Sequence, residues 1–197
     1  MSVMEKFNWN MDLHYMKYAA VFLIALLLLS GCVKKEGRTV AIIKTNMGTI
    51  KAELYTKEAP ITTENFIKLA KDGFYNGMVF HRVIDNFVIQ AGAFYPNGTY
   101  KQSPYGTIPL EVKKNLTHVD GALGMARARD PNSASSQFYI CDGPQHELDG
   151  NYTVFGRVID GMNVVREIAS VKTTTKYGMP NWPVNDVIIE SITIKVE

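Results

Sequence analysis

The chain has 197 residues, a formal net charge of +2, 46% hydrophobic residues and 20% charged residues. This length accommodates one domain with an appendage, and the balance is that of a globular protein rather than a disordered one. A net charge so close to zero gives no reason to expect a nucleic acid as partner.

The N-terminal segment has the pattern of an export signal. Lys17 precedes an apolar run of eleven residues, Ala19 to Leu29, and small residues follow that run. At ~1.5 Å per residue the run covers about half of a ~30 Å bilayer core, which disfavours a permanent span. We therefore predict a signal segment over residues 1–32. A signal-anchor or buried helix is the alternative, and Met1, Met11 and Met16 stay open as the start of translation, with Met16 giving the most conventional signal.

The end of this segment, Leu29-Ser30-Gly31-Cys32, resembles the lipobox of prokaryotic lipoproteins, whose cysteine is lipidated and becomes the new N-terminus. The resemblance implies a lipid anchor at Cys32 that holds the protein on the extracytoplasmic face of the cell membrane. Residues 33–38 then form a short linker, ~20 Å long at most, and the domain spans residues 39–197. Cys141 is the only other cysteine, and we expect it to be a buried small hydrophobe without a disulfide partner.

The remainder of the chain contains several short strands and two helices. The first helix has Thr62 or Thr63 as candidate N-cap and Gly73 at its end. Such a pattern favours an all-β barrel or sandwich over a βαβ protein. The predicted strands are Thr39–Thr45, Gly48–Leu54, 122–126, 137–140, 154–158 and 187–196, with a hairpin over 80–92; the predicted helices are Pro60–Lys71 and Met162–Ser170, and 93–114 is a long loop.

The hairpin over residues 80–92 holds an arginine in an otherwise apolar pattern. Asp85-Asn86 is the predicted turn, and an antiparallel return brings Arg82 onto the face that Val88 and Gln90 share. A fixed cation beside a glutamine and apolar groups suits a site that grips a neutral peptide and polarises an amide. The alternative is that Arg82 is a solvated edge residue.

This hairpin, together with Gly121-Ala122-Leu123-Gly124-Met125-Ala126, Ser135-Ser136-Gln137-Phe138-Tyr139-Ile140 and Leu148-Asp149-Gly150, closely resembles the cyclophilin family of peptidyl-prolyl cis-trans isomerases. The resemblance runs from about Thr39 to the C-terminus. It implies an all-β fold: a closed eight-stranded antiparallel barrel with a helix covering each end. The barrel interior would be filled by side chains, and the active groove would lie on the outer surface.

The resemblance also implies an isomerase of Xaa-Pro bonds that needs no metal and no cofactor. Arg82, Phe87 and Gln90 correspond to the catalytic residues. The substrate-binding residues would be Val88, Met125, Ala126, Arg127, Gln137, Tyr139, Leu148 and Tyr152. By periodicity alone, Phe87, Tyr139 and Leu148 would be read as core residues. The expected partners are Xaa-Pro-containing polypeptides, and the protein is expected to be a monomer.

Four positions depart from the family pattern. Methionine is usual where Val88 stands and phenylalanine where Tyr139 stands, so the Tyr139 hydroxyl needs a partner if it is buried. The Glu147 position often holds tryptophan, and a shift of one residue would put His146 there instead. Tyr152 replaces a frequent histidine. We expect catalysis to survive these changes and cyclosporin-like ligands to bind less well.

His81 alternates with Arg82 along the strand and should point to the opposite face, as a structural, hydrogen-bonded histidine.

The second candidate function is a non-catalytic chaperone module that grips Pro-containing segments in the same groove. An intact Arg82 favours the enzyme, because a pure binder has no need of a donor aimed at the amide.

Overall fold

The computed structural model describes residues 37–197, which form one unit with its own hydrophobic core. The predicted signal segment, Cys32 and most of the linker lie outside the described residues. Within residues 37–197, no helix combines the length and the apolar character that crossing a bilayer requires.

Eight strands form a single sheet in the order β10-β1-β2-β7-β5-β6-β4-β3, and all of its pairings are antiparallel. The strands of this sheet are β1 (Thr39–Thr45), β2 (Gly48–Leu54), β3 (Arg82–Ile84), β4 (Val88–Ala91), β5 (Ala122–Met125), β6 (Phe138–Cys141), β7 (Val154–Asp160) and β10 (Ile189–Val196). The two α-helices are α1 (Pro60–Lys71) and α2 (Met162–Ala169). The mainly β architecture with two helices is therefore confirmed.

Closure of the sheet into a full barrel is not confirmed. The end strands β3 and β10 share no ladder within residues 37–197. Isolated backbone bonds join the starts of the two strands and the segments that lead into them: Phe80 donates to the Val187 carbonyl at 2.9 Å, and Ile189, the first residue of β10, donates to the Met78 carbonyl at 2.8 Å. The sheet is strongly curled, and its two ends meet through these segments rather than through paired strands.

Strands β4 and β6 are buried on both faces. Ile89 and Phe138 belong to the main core, whereas their neighbours Val88 and Tyr139 belong to a second apolar cluster. Successive side chains of a strand point to opposite faces, so the second cluster lies on the face turned away from the main core. This is why β6 reads as a continuous apolar run, whereas Gln90 interrupts the run in β4. Cys141 is free and buried in the second cluster, as predicted.

Both helices contribute an apolar face to the main core, including Phe66 and Leu69 of α1 and Val165 and Ile168 of α2. The predicted N-cap of α1 is wrong. Ala59 occupies the N-cap position without a side-chain bond.

The carboxylate of Glu111, far away in the sequence, caps helix α1 instead. It accepts hydrogen bonds from the backbone N–H groups of Ile61 and Thr62, at 3.1 and 2.6 Å. The Thr62 hydroxyl, expected to be an acceptor, donates to the same carboxylate at 2.6 Å. The predicted end of the helix is correct, since Gly73 adopts the left-handed conformation with φ 65° directly after it.

A separate hairpin, β8 (Thr173–Lys176) with β9 (Met179–Pro183), has no counterpart among the predicted strands. The threonine-rich strand β8 is only partly covered, so it shows no clear alternation of apolar and polar residues. The hairpin contributes the fully buried Trp182, whose indole nitrogen donates to Asp186 at 2.8 Å.

Candidate active site

The β3–β4 hairpin presents Arg82 and Gln90 on one face. The two residues are direct cross-strand partners, and the Arg82 guanidinium donates to the Gln90 side-chain oxygen at 3.2 Å. The Gln90 amide in turn donates to the side-chain oxygen of Gln137 at 3.0 Å. Arg82 is therefore held by a short polar chain, and the predicted shared face of the hairpin is confirmed.

The turn of this hairpin carries Phe87 and is held by hydrogen bonds to Asp142, which lies outside the hairpin. Asn86 takes the left-handed conformation with φ 56°, and its N–H donates to the Asp142 carboxylate at 2.8 Å. The Asp142 N–H donates to the Phe87 carbonyl at 2.8 Å. The Phe87 ring lies 5.4 Å from the Arg82 guanidinium carbon, within the range of a cation–π contact. The turn thus holds the aromatic ring beside the cation.

A cavity of about 300 Å³ opens on this face of the sheet. Its lining combines apolar and aromatic side chains with two arginines and a glutamine, which suits an apolar group that stands beside a polarisable one. The lining residues are Arg82, Phe87, Val88, Gln90, Ala126, Arg127, Tyr139, Leu148 and Tyr152. Every one of them was predicted as a catalytic or substrate-binding residue, from positions scattered over four regions of the sequence.

Two predicted binding residues lie outside this lining. The Met125 side chain is buried in the main core, because alternation along β5 turns it away from the outer face. Gln137 contacts the site through its bond to Gln90, and its carbonyl accepts from the Ala126 N–H at 2.9 Å. The structure thus removes the Met125 side chain from the pocket and makes Gln137 a neighbour of Gln90.

The hydroxyl of Tyr139, which needs a partner when buried, finds one in His118. The Tyr139 oxygen lies 2.8 Å from His118 Nε2, and His118 Nδ1 lies 2.7 Å from Asp149 Oδ1. Burial raises the pKa of Tyr139, so the phenol stays protonated. No pattern in the sequence predicts a role for His118 or Asp149. The unpartnered hydroxyl expected at Tyr139 was the signal that could have pointed to them.

The far side of the cavity is formed by Tyr152 and Arg127. The Tyr152 ring meets that of Tyr139 edge to face, with centroids 6.1 Å apart, and Arg127 lies over Tyr152 at 4.9 Å. The Leu148 side chain completes this side, whereas Glu147 beside it is exposed and does not line the cavity. His146, the alternative for the aromatic position, is exposed as well.

His81 lies away from the cavity, as alternation predicted. Its ring is 6% exposed and packs against Phe94 and Trp182, with centroids 4.9 and 6.2 Å apart. Its Nδ1 has no hydrogen-bond partner within residues 37–197, whereas hydrogen bonding of the imidazole with the Gln137 side chain and the Val79 backbone acts to raise its pKa. Burial, reinforced by the positive charge of Arg82, lowers the pKa of His81 to about 4. The residue is therefore a neutral, structural histidine.

The protein is thus of the mainly β class and carries an apolar pocket with a guanidinium on the outer face of a curled antiparallel sheet. A model of the family described as "Cyclophilin type peptidyl-prolyl cis-trans isomerase/CLD" matches residues 40–194. The chain belongs to this family, and it is an enzyme that accelerates cis-trans rotation of peptidyl-prolyl bonds.

Relatives and solved structures agree with this assignment. The chain is 45% identical to a peptidyl-prolyl cis-trans isomerase of Acinetobacter baylyi over 163 residues, which cover 80% of this chain and 86% of the relative. It is 39% identical to peptidyl-prolyl cis-trans isomerase B of Escherichia coli over 158 residues, covering 76% and 96%. A Cryptosporidium parvum cyclophilin-type isomerase, solved in the presence of the dipeptide Ala-Pro, superposes with a TM-score of 0.72 at 32% identity, covering 80% of this chain and 99% of that one.

Proposed function

We propose that Arg82 is the catalytic hydrogen-bond donor of the isomerisation, with Phe87 and Gln90 completing the catalytic set. The observation that carries this assignment is the bond between Arg82 and Gln90 on the wall of an apolar cavity. An arginine offers five N–H donors in a rigid fork and keeps its charge at every physiological pH. Such a donor suits an amide whose electron distribution changes during rotation.

The chemistry needs no nucleophile. An Xaa-Pro bond rotates over a barrier of about 20 kcal/mol, in tens of seconds unaided, because the nitrogen lone pair is shared with the carbonyl. A donor that binds the prolyl nitrogen or the rotating carbonyl oxygen stabilises the twisted state more than either planar state. Lowering the barrier by ~7 kcal/mol would accelerate rotation about 10⁵-fold.

The apolar part of the cavity would hold the proline ring. We assign this contact to Phe87, Val88, Tyr139, Leu148 and Tyr152, whose side chains share the lining with Arg82. Ala126 and the main chain of Arg127 would flank the substrate strand, and Gln137 would keep Gln90 in place. The solved relative that was studied with Ala-Pro supports a proline-containing segment as the ligand.

A coupled peptide isomerisation assay on residues 33–197 tests these roles. We expect turnover of short Xaa-Pro peptides without added metal or nucleotide. Tyr139→Phe should stay active, whereas Phe87→Ala should lose most activity by raising KM, because it removes an apolar wall. Binding of Pro-containing peptides without any acceleration would instead favour a chaperone that only grips its clients.

We further propose that the protein is an exported prokaryotic lipoprotein, anchored through Cys32 on the extracytoplasmic face of the membrane and acting as a monomer on exported polypeptides. The support is the Leu29-Ser30-Gly31-Cys32 sequence after an apolar run too short to span comfortably. In this arrangement the signal segment with its lipobox covers residues 1–32 and is cleaved before Cys32, the linker covers residues 33–38, and the isomerase domain covers 39–197.

Mass spectrometry of the protein expressed in a bacterium tests the anchor directly. We expect an N-terminal peptide that begins at Cys32 and carries acyl groups. Cys32→Ser should release the protein from the membrane fraction or leave an uncleaved precursor. An intact chain beginning at Met1 with an unmodified Cys32 would contradict the proposal, and Cys141→Ser serves as the control that leaves membrane attachment unchanged.

A further inference from the structure

A buried histidine joins the wall of the cavity to a carboxylate. His118 is fully inaccessible to solvent and lies between the Tyr139 hydroxyl and Asp149. Burial alone would raise the pKa of Asp149, but bonds from the His118 backbone N–H and from the imidazoles of His118 and His146 lower it to about 2. An ionised carboxylate only accepts, so Nδ1 of a neutral His118 carries the proton and Nε2 accepts from Tyr139.

The Tyr139 ring is also held on its other sides. Its atoms lie so close to Gly124 that a Cβ there would stand 2.2 Å from Tyr139 Cζ. The His118 ring is nearly parallel to it, at 17° and 5.9 Å between centroids, and Tyr152 meets it edge to face. Within residues 37–197, the hydrogen bond from the Tyr139 hydroxyl to His118 is thus the single polar contact that restrains a side chain otherwise held by packing.

We propose that His118 is a positioning residue of the isomerase, which fixes the Tyr139 ring as a wall of the proline pocket. The inference rests on the proposed contact between Tyr139 and the proline ring. A buried hydroxyl without a partner is strongly disfavoured. Without an acceptor at His118, the tyrosine would turn its hydroxyl toward water in the cavity and obstruct the space that the proline ring occupies.

The test is His118→Leu, made once in the wild-type protein and once in Tyr139→Phe. In the wild-type background, we expect kcat/KM to fall about 5- to 30-fold, mainly through KM, because the hydroxyl loses its acceptor. In Tyr139→Phe the same substitution should change kcat/KM less than 2-fold, since phenylalanine needs no acceptor. All rates are normalised to the folded fraction, measured by NMR.

Equal losses in the two backgrounds would overturn the proposal and leave His118 with a role in stability alone. Absence of turnover in the wild-type protein would remove the proposed function, whereas turnover with equal losses in the two backgrounds would remove the role of His118 alone. If His118→Leu fails to fold, ¹⁵N NMR of the wild-type imidazoles decides. A neutral Nδ1–H tautomer that withstands mild acid supports the bond to Tyr139, and an Nε2–H tautomer contradicts it.

The cavity has an excess of positive charge. Arg82 and Arg127 both line it, and no aspartate or glutamate stands among the lining residues. Neither arginine forms an ion pair within the described part of the chain. The cavity therefore carries two positive charges that nearby carboxylates leave uncompensated.

The Arg127 side chain is held in place without being neutralised. Its Nε donates to the Asn151 carbonyl at 3.0 Å, and its Nη1 donates to the Ala128 and Arg129 carbonyls at 3.0 and 3.3 Å. Its guanidinium also lies over the Tyr152 ring. Nη2 has no hydrogen-bond partner between residues 37 and 197, which leaves it available to a ligand oxygen. A carboxylate is the natural complement of such a pre-organised guanidinium.

The geometry points to Arg127 as a specificity-determining residue that favours Xaa-Pro segments with an acidic side chain next to the proline. This rests on the proposed function, since it places the substrate in the cavity. Arg82 is engaged with Gln90 and is assigned to the amide, so Arg127 is the cation that remains for the flanking side chain. Attraction to a partly exposed charge is modest and salt-dependent.

Peptides with Glu, Gln or Lys on either side of the proline test this preference. At low salt, we expect kcat/KM for the Glu peptide to exceed that for the Lys peptide about 3- to 10-fold, and the ratio to shrink at high salt. Arg127→Gln should bring the ratio close to one. Arg157→Gln removes an exposed arginine outside the cavity and is the matched control that should keep the ratio.

Two results would overturn the preference: equal rates for Glu and Lys peptides in the wild-type protein, or a ratio that Arg127→Gln leaves unchanged. The Gln peptide carries no charge beside the proline and separates this inference from the proposed function. If the Gln peptide is turned over and kcat/KM is equal for the Glu, Gln and Lys peptides, only the role of Arg127 is contradicted. Absence of turnover on all three peptides would remove the proposed function.

Discussion

The Arg82 guanidinium donates a hydrogen bond of 3.2 Å to the side-chain oxygen of Gln90, its cross-strand partner on β4. The bond depends on register, because a slip of one residue would turn Gln90 to the other face of the sheet. The Asp142 carboxylate secures that register by holding the turn at Asn86, while it also pairs with Arg166 of helix α2. The position of the cation is therefore set by the hairpin together with the elements packed behind it.

Replacing Arg82 tests its proposed catalytic role. Arg82→Ala should lower kcat/KM at least ~10²-fold without unfolding the protein, since the lost interaction acts mainly in the transition state. Arg82→Lys should also lower kcat/KM, because an ammonium lacks the planar fork of N–H donors that reaches both Gln90 and the substrate. Peptide isomerisation kinetics and circular dichroism provide the two measurements. Turnover near the wild-type level in Arg82→Ala would take the residue out of its assigned role.

Glu111 should stabilise the fold through helix α1. Glu111→Ala removes the acceptor of the Ile61 and Thr62 N–H groups and a negative charge from the helix N-terminus. We expect the free energy of unfolding to fall by roughly 1–2 kcal/mol, the usual effect of losing an N-cap. Urea denaturation measures it, and Glu190→Ala, an exposed acid on β10, is the control. Equal stabilities of the two variants would mean that the cap contributes little.

The buried His81 should make the protein less stable in mild acid. Its pKa is about 4 in the folded protein and near 6.5 when unfolded. Between pH 6.5 and pH 4 His81 is protonated in the unfolded chain but not in the folded protein. The free energy of unfolding therefore decreases as pH falls from 6.5 toward 4. The difference corresponds to about 3 kcal/mol at the acid end of this range.

His81→Phe keeps a ring against Phe94 and Trp182 and removes the titrating group. Its free energy of unfolding, measured in urea at several pH values, should depend on pH less steeply than that of the wild-type protein. The pH dependence that remains should include a contribution from His118, because burial also lowers the pKa of that residue. Identical slopes in the two proteins would show that His81 does not titrate in this range.

Cyclosporin should inhibit this protein more weakly than cyclophilins that carry tryptophan at the Glu147 position. Glu147 and His146 are both exposed, and neither supplies an indole N–H donor to the cavity. Losing that bond and part of an aromatic contact costs roughly 1–3 kcal/mol, which corresponds to about 5- to 150-fold in affinity. Glu147→Trp should recover part of the difference. An inhibition constant equal to that of a tryptophan-bearing relative, measured side by side, would contradict this expectation.

The sequence by itself determined the family, both helices and most strands of the sheet. Motifs such as those around Arg82 and Tyr139 are long and ordered, and alternation along a strand is a local property that sequence displays directly. For the same reason the shared face of Arg82 and Gln90 was predictable, as was the turn at Asp85-Asn86. The opposite orientation of His81 follows from the same period of two.

Only the tertiary structure decided the features that join distant segments. Glu111 caps a helix that begins about fifty residues earlier, and His118 receives the Tyr139 hydroxyl with Asp149 behind it. Met125 shares a motif with Ala126, yet the pleat of β5 turns its side chain into the core. No local pattern encodes such contacts, because each depends on how strands that are remote in sequence pair and curl. The sequence shows which side chains require a hydrogen-bond partner when they are buried, but the tertiary structure determines which residue that partner is.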